Sequence, residues 1–251
     1  MKGWLIGIVS FLILLIGGVI IVNFWGQSTE VEIKDITTEI SETETSLKVK
    51  EVIGQSVEGR PLEAYTYGNG DTEIMLVGGI HGGYEWNTVF LAYSLMDYLE
   101  ANPDFIPANI TITIIPSANP DGLFKVTGKE GRFLISDVKT GFEPPFGRFN
   151  ANEVDLNRNF DCKWQAESTW RNQPVKAGTA PFSEPEAQAL RDIILKRKPT
   201  AVVFWHSQSN AVYPSYCEEG VPPESRILMN LYAEASGYRA IESFDHYEIT
   251  G

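Results

Sequence analysis

The sequence predicts an α/β domain built on a mixed, largely parallel β-sheet with helices on both faces. Short clusters of apolar and β-branched residues recur along the chain, each bounded by Gly, Pro, Asn or Asp, as strands are. Helical patterns separate them, and this alternation is typical of a largely parallel sheet. Strands rich in Val and Ile also suit a sheet that is buried on both faces. The predicted strands are residues 47–53, 74–77, 110–115 and 201–205, and the predicted helices are 86–101, 184–196 and 223–236.

The first segment, residues 1–26, is predicted to be a membrane anchor. Residues 4–22 form an apolar run broken only by Ser10 and three glycines, and about 20 helical residues cross a bilayer core. A cleaved signal peptide is the alternative, but its apolar region is usually only about 7–15 residues long. Lys2 precedes the run and acidic residues follow it, which places the N-terminus in the cytoplasm and the remainder outside.

The next segment, residues 27–45, is an acidic stalk rich in Ser and Thr. It has no apolar periodicity with which to bury a face. Residues 46–251 are then long enough for one globular domain with a substantial core. The formal net charge of the chain is -13, and because this charge repels phosphate backbones, we exclude nucleic acid as a partner.

Two cysteines, Cys162 and Cys217, allow a single intramolecular disulfide, which the predicted extracytoplasmic location would permit. Two unpaired thiols are the alternative. Neither cysteine belongs to a CxxC pair, so we predict no thiolate metal site.

The clearest helix start is the segment Ser183-Glu184-Pro185-Glu186. It has the spacing of a capping box, with Ser183 as the N-cap and Pro185 in the first turn.

Polar side chains follow two of the predicted strands. His81 and Glu85 come just after the strand at 74–77, and His206 directly follows the strand at 201–205. Ligands of open α/β sheets bind at the carboxyl ends of strands. Two histidines and one carboxylate with an open fourth position form a recurring catalytic zinc set. The alternatives are incidental surface groups for the first pair and a core histidine for His206.

Further segments make a family resemblance specific. Asn119-Pro120-Asp121-Gly122 and the run Asp155-Leu156-Asn157-Arg158-Asn159 lie between the two histidines, with the Ser183 segment after them. The chain resembles the zinc carboxypeptidase family, whose members carry the His and Glu, NPDG, DxNRN-like, Ser-Glu-Pro-Glu-like and His-Ser segments in this order. The resemblance covers roughly residues 47–251.

The resemblance implies that His81, Glu85 and His206 bind one Zn²⁺ ion. It also implies that Asp155 orients the first histidine, which fixes the tautomer and raises ligand basicity. The family spacing is HxxE, whereas three residues separate His81 from Glu85 here. Both spacings keep the two side chains on one helical face.

The resemblance implies four further roles. Asn157 and Arg158 bind the terminal carboxylate of the substrate, and Arg148 stabilises the oxyanion of the tetrahedral intermediate. Tyr247 covers the substrate. Surface salt bridges are the alternative for the arginines, and a buried aromatic is the alternative for Tyr247.

The family's catalytic glutamate follows the segment that matches 247–251. We therefore expect the chain to be an incomplete gene product that lacks this general base, the last strand and a C-terminal helix.

The resulting interpretation is a membrane-anchored, extracytoplasmic zinc metallocarboxypeptidase. It would hydrolyse a peptide or peptide-like amide bond near a free carboxylate, and a cell-wall peptide is a candidate substrate. A catalytically inactive carboxylate-binding protein and a zinc-dependent deacylase of N-acyl amino acids are the alternatives.

Overall fold

The computed structural model describes residues 48–207, 209–217 and 220–243. The predicted anchor (1–26), the predicted stalk (27–45) and Tyr247 therefore lie outside the described residues. Within those three ranges, no helix has the length and apolar character that crossing a membrane requires.

The described chain alternates strands and helices. The strands are β1 (Val49–Gln55), β2 (Pro61–Gly68), β3 (Thr72–Val77), β4 (Ile110–Ile115), β5 (Glu167–Trp170), β6 (Gln173–Lys176), β7 (Ala201–Phe204), β8 (Ala211–Val212) and β9 (Arg239–Ala240). The helices are α1 (Trp86–Ala101), α2 (Pro120–Thr127), α3 (Pro185–Arg197) and α4 (Pro223–Ser236).

The central sheet has the strand order β1-β2-β4-β3-β7. Strands β3, β4 and β7 pair in parallel, whereas β2 pairs antiparallel with both β1 and β4. Four of the five strands thus point the same way, which confirms the predicted mixed and largely parallel sheet. Two small sheets accompany it, an antiparallel β5–β6 hairpin and a parallel β8–β9 pair.

The register of β3 with its neighbours positions the site. Val77, the last residue of β3, lies opposite both Ile115 of β4 and Phe204 of β7. Because the three strands end at the same level, the residues that follow them emerge together at one edge of the sheet.

Apolar residues cover both faces of this sheet. One buried cluster packs α1 and Leu123 of α2 against the side chains of Tyr65, Tyr67 and Ile114. The other packs Leu190 and Ile193 of α3 against Ala64, Met75, Val77 and Ile115. Adjacent residues such as Ile114 and Ile115 belong to opposite clusters, as the alternation of a strand requires. Helices on both faces are thereby confirmed.

Several local features differ from the prediction. Strand β2 and helix α2 were not predicted, and β2 separates the β1 and β3 strands in the chain. The capping box at Ser183 is wrong: α3 begins at Pro185 with Glu184 at the N-cap position and without a side-chain cap. The Ser183 hydroxyl donates instead to the side chain of its neighbour Glu184, and the Glu186 carboxylate accepts from the distant Val57 amide.

Cys162 and Cys217 form a disulfide, which decides between the two alternatives for these cysteines. The bond joins the segment just after Asn159 to the segment that follows β8.

Candidate metal centre

The turn after β3 carries the first two candidate ligands. Its backbone is held by Thr88, whose hydroxyl accepts from the Gly79 amide at 3.0 Å and donates to the Glu85 carbonyl at 2.8 Å. A 3₁₀ turn over Gly82–Glu85 then leads into α1. This turn brings the side chains of His81 and Glu85 to the same side despite the three residues between them.

His206 reaches the same place from β7. The amide of Trp205 donates to the carbonyl of Val77 at 2.8 Å, which ties the end of β7 to the end of β3. His206 follows directly.

The three predicted ligands come together. One candidate ligand atom from each of His81, Glu85 and His206 lies within 4.8 Å of the others. The two imidazole ring centroids are 5.1 Å apart, and Nδ1 of His206 lies 3.2 Å from Oε2 of Glu85. His81 and Glu85 are buried, whereas the His206 side chain is 34% exposed.

The chemistry of this group fits zinc. Oε2 of Glu85 is buried and makes no hydrogen bond within the described residues. Burying an unpaired polar or ionised group is costly, and a cation bound here would offset that cost. Ligands of one zinc lie at most roughly 4.4 Å apart because each bond is about 2.0–2.2 Å long. A small side-chain adjustment therefore suffices.

Asp155 lies behind His81. Its Oδ1 is 3.5 Å from Nδ1 of His81, and Asp155 is fully buried. Nε2 of His81 lies 3.4 Å from the side-chain nitrogen of Asn157. A carboxylate beside one ring nitrogen orients a ligating histidine.

Desolvation lowers the pKa of His81 well below its usual value, and the positive charge of Arg148 lowers it further. The neutral imidazole, which is the form that binds metals, is thereby favoured.

Arg148 is buried beside this carboxylate. Its Nε and Nη2 donate to Oδ2 of Asp155 at 3.1 and 2.8 Å. The guanidinium carbon lies 4.5 Å from the ring centroid of Trp170 and 5.7 Å from that of Tyr84. The structure thus brings Arg148 next to the candidate metal centre and shows it held by Asp155.

Asn157 and Arg158 lie on a short 3₁₀ turn, Leu156–Arg158, in which the Asp155 side chain accepts from the Asn157 amide. Arg158 donates from Nη1 to the Asn157 carbonyl at 2.6 Å and from Nη2 to the Thr169 carbonyl at 3.2 Å. Oδ1 of Asn157 is buried and makes no hydrogen bond within the described residues. The Asn157 side chain is therefore adjacent to His81, and Arg158 is held against the backbone of Asn157 and Thr169.

Three glycines allow the loops of the site to meet. A Cβ on Gly82 would lie 2.7 Å from the Gly147 carbonyl, and a Cβ on Gly122 would lie 2.5 Å from the same oxygen. The turn of His81, the start of α2 and the segment before Arg148 thus touch through backbone atoms. Asn119 adds to this contact by capping α2 at Gly122 and donating to the Arg148 carbonyl.

Sequence reasoning missed the β5–β6 hairpin and Trp170. Arg171 and Asn172 form its turn, both with positive φ. The usual signal for such a turn is Asn-Gly or Asp-Gly, and its absence left this hairpin unpredicted.

Comparison with known proteins identifies the family. A sequence profile described as zinc carboxypeptidase matches residues 33–247. The chain belongs to the zinc carboxypeptidase family. This confirms the resemblance drawn from the five segments, and the His-Glu-His group agrees with the zinc dependence of the family.

The names of the zinc carboxypeptidase relatives describe different peptidases. The chain is 30% identical over 217 residues to gamma-D-glutamyl-L-diamino acid endopeptidase 1 of Lysinibacillus sphaericus, covering 78% of this chain and 54% of the relative. It is 28% identical over 214 residues to carboxypeptidase B of Astacus astacus, covering 79% and 67%. The chain thus spans about half the length of the first relative.

Solved structures share the fold. Carboxypeptidase A of Helicoverpa armigera aligns with a TM-score of 0.59 at 21% identity, covering 78% of this chain and 52% of that one. Murein-tripeptide amidase MpaA of Escherichia coli O157 aligns with a TM-score of 0.52 at 22% identity, covering 78% and 73%.

Proposed function

We propose that the protein binds one zinc ion through His81, Glu85 and His206 and hydrolyses a peptide or peptide-like amide bond near a free carboxylate. The observation that carries this proposal is the convergence of these three side chains beside Asn157 and Arg158. When bound, zinc would polarise the substrate carbonyl and acidify a water molecule.

The protein's own residues supply orientation and charge. Asp155 holds His81 in the orientation that a ligand needs. Asn157 and Arg158 bind the substrate carboxylate, because a planar guanidinium can grip it with two hydrogen bonds. This contact sets which amide bond lies at the metal.

Arg148 is proposed to stabilise the negative charge that develops on the carbonyl oxygen. Arg148 donates to Asp155 through its own Nε and Nη2, and within the described part of the chain its Nη1 makes no such bond, so Nη1 is proposed to face the substrate. The rings of Trp170 and Tyr84 lie beside the guanidinium. We assign no general base within the described residues. Because the chain spans about half the length of the first relative, hydrolysis is proposed as an activity of the whole protein.

The substrate class is proposed from the relatives. The Lysinibacillus sphaericus relative is named for a gamma-D-glutamyl-L-diamino acid bond. Murein peptide amidase A of Escherichia coli is 39% identical over 69 residues, which cover 24% of this chain and 28% of that protein. Both names support a cell-wall peptide as substrate.

The location is proposed as extracytoplasmic, with residues 1–26 as a single membrane anchor and a cytoplasmic N-terminus. The apolar run at 4–22 supports the anchor. The disulfide supports an oxidising compartment.

Zinc content and peptide hydrolysis test the proposal together. We expect about one zinc per chain, and cleavage of a peptide whose scissile bond lies near a free carboxylate in preference to the same peptide with that carboxylate amidated. Glu85→Gln should lose zinc and activity. The matched control is Glu153→Gln, an exposed carboxylate paired with Lys176, which should keep both. Full zinc content in Glu85→Gln, or equal cleavage of the amidated peptide, would contradict the assignment. Zinc binding without cleavage would favour a binding protein.

A further inference from the structure

The β5–β6 hairpin forms a wall of the candidate site. Its strands pair Thr169 with Pro174 and Trp170 with Gln173. The Thr169 carbonyl accepts from Nη2 of Arg158, and the buried Trp170 ring contacts the guanidinium of Arg148. Trp170 also packs edge to face on Tyr84, with ring centroids 5.3 Å apart. The hairpin thus touches both arginines that are proposed to act on the substrate.

Arg171 lies in the turn of this hairpin and is exposed. Its guanidinium carbon lies 4.8 Å from the ring centroid of Trp170, and it forms no ion pair within the described ranges. The indole therefore fixes the position of this cation by a cation–π contact rather than by a carboxylate.

Arg171 is close enough to act on the same ligand as Arg148. Both guanidinium carbons lie within 5 Å of the centroid of the Trp170 ring. They are thus at most about 10 Å apart, comparable to the screening length at 0.1 M salt. Asp155 compensates the charge of Arg148, so Arg171 supplies positive charge on the exposed side of this hairpin. A positive group in an exposed turn attracts anions.

From this arrangement we infer that Arg171 is a specificity-determining residue that binds a second anionic group of the substrate. The inference rests on the proposed function, in which Asn157 and Arg158 bind the first carboxylate. The preferred substrate would then be a peptide whose residue with the free carboxylate carries another carboxylate on its side chain. Because Arg171 is exposed, its contribution is that of a surface ion pair, which is a few-fold in affinity and falls with salt.

Two peptides that differ only in a C-terminal Glu or Gln measure this preference. Binding to the zinc-loaded protein is measured by calorimetry, separately from hydrolysis. We expect the wild type to bind the Glu peptide about three- to fivefold more tightly, as an exposed ion pair allows. Arg171→Gln should abolish that ratio without weakening binding of the Gln peptide, and Arg171→Lys should restore part of it. The ratio should shrink when the salt concentration is raised to about 0.5 M.

Arg191→Gln is the matched control. Arg191 is a half-buried arginine that also lies over an aromatic ring, that of Phe182, but it is on α3 and pairs with Asp192. It should leave the ratio unchanged. Equal binding of both peptides by the wild type, an unchanged ratio in Arg171→Gln, or binding of neither peptide would overturn the inference. A normal binding ratio without hydrolysis would count against the proposed activity alone.

Discussion

Asp155 holds three groups of the site at once. Its carboxylate accepts two hydrogen bonds from Arg148 and one from the Asn157 amide, and it faces Nδ1 of His81. Asp155 is fully buried and Arg148 is 2% exposed, so each charge depends on the other. Removing one partner from a buried ion pair leaves an uncompensated charge.

Asp155→Asn tests this dependence. We expect it to lower the free energy of unfolding by about 3–5 kcal/mol because Arg148 stays buried and charged. Zinc affinity should fall about 10- to 100-fold because His81 loses its orienting carboxylate. Denaturant unfolding and a zinc competition assay measure the two effects. Wild-type zinc affinity in a folded Asp155→Asn protein would show that Asp155 does not orient the histidine.

The lowered pKa of His81 predicts a dependence of stability on pH in the zinc-free protein. The folded state binds fewer protons than the unfolded state below the ordinary histidine pKa of about 6.5. The stability that the neutral imidazole contributes is therefore fully present above that pH and is lost as the pH falls below it.

His81→Gln should reduce this slope by up to about 1.4 kcal/mol per pH unit. Urea unfolding in the presence of a chelator, from about one pH unit above the ordinary histidine pKa to about one and a half below it, measures the slope. His206→Gln is the comparison, since it removes the imidazole at the more exposed edge of the same group. An identical slope in the wild type and His81→Gln would show that His81 does not titrate with folding.

At the scale of elements, the site depends on backbone contacts between three loops. Gly122 has no space for a side chain, because a Cβ there would lie 2.5 Å from the Gly147 carbonyl and 2.8 Å from Nδ2 of Asn119. Both neighbours hold the segment that carries Arg148.

Gly122→Ala should therefore separate α2 from this segment. We expect a loss of about 1–3 kcal/mol in the free energy of unfolding, typical of overpacking, together with weaker peptide hydrolysis. Glu234→Ala, an exposed change to alanine on α4, should have little effect on either. A wild-type unfolding curve for Gly122→Ala would mean that the loops can separate without cost.

The strands and loops also show how much of the fold and of the site could be predicted from the sequence. Residues that follow two parallel strands emerge at one edge of the sheet, so the order of strands and polar residues along the chain places His81 and His206 at the same edge. Their proximity depends also on the pairing of β3 with β7, which the structure shows between Val77 and Phe204. The stacking of Trp170 on Arg148 could not be predicted, because it depends on where a hairpin folds back in three dimensions. Asn157 and Arg158 were found through the family resemblance, and their role in binding the substrate carboxylate stays a prediction.

At the scale of the whole molecule, two apolar clusters lie on opposite faces of one sheet. Leu123 belongs to the cluster under α1 and α2, and Leu190 belongs to the cluster under α3. Both side chains are fully buried.

Leu123→Ala and Leu190→Ala should each lower the free energy of unfolding by roughly 2–5 kcal/mol. Because the sheet separates the two clusters, the double variant should lose the sum of the single effects to within about 0.5 kcal/mol. Denaturant unfolding of the wild type, the two single variants and the double variant measures this. A coupling larger than that would show that the two faces pack as one unit.

The disulfide changes what a cut in the chain would do. Cys162 and Cys217 are 55 residues apart, and β5, β6, α3 and β7 all lie between them. A protease that cleaved the exposed hairpin turn at Arg171 would open the backbone but would leave both pieces joined by a covalent bond. The segments that carry Arg158 and His206 would remain on one molecule, and their separation would require a reductant as well as a protease.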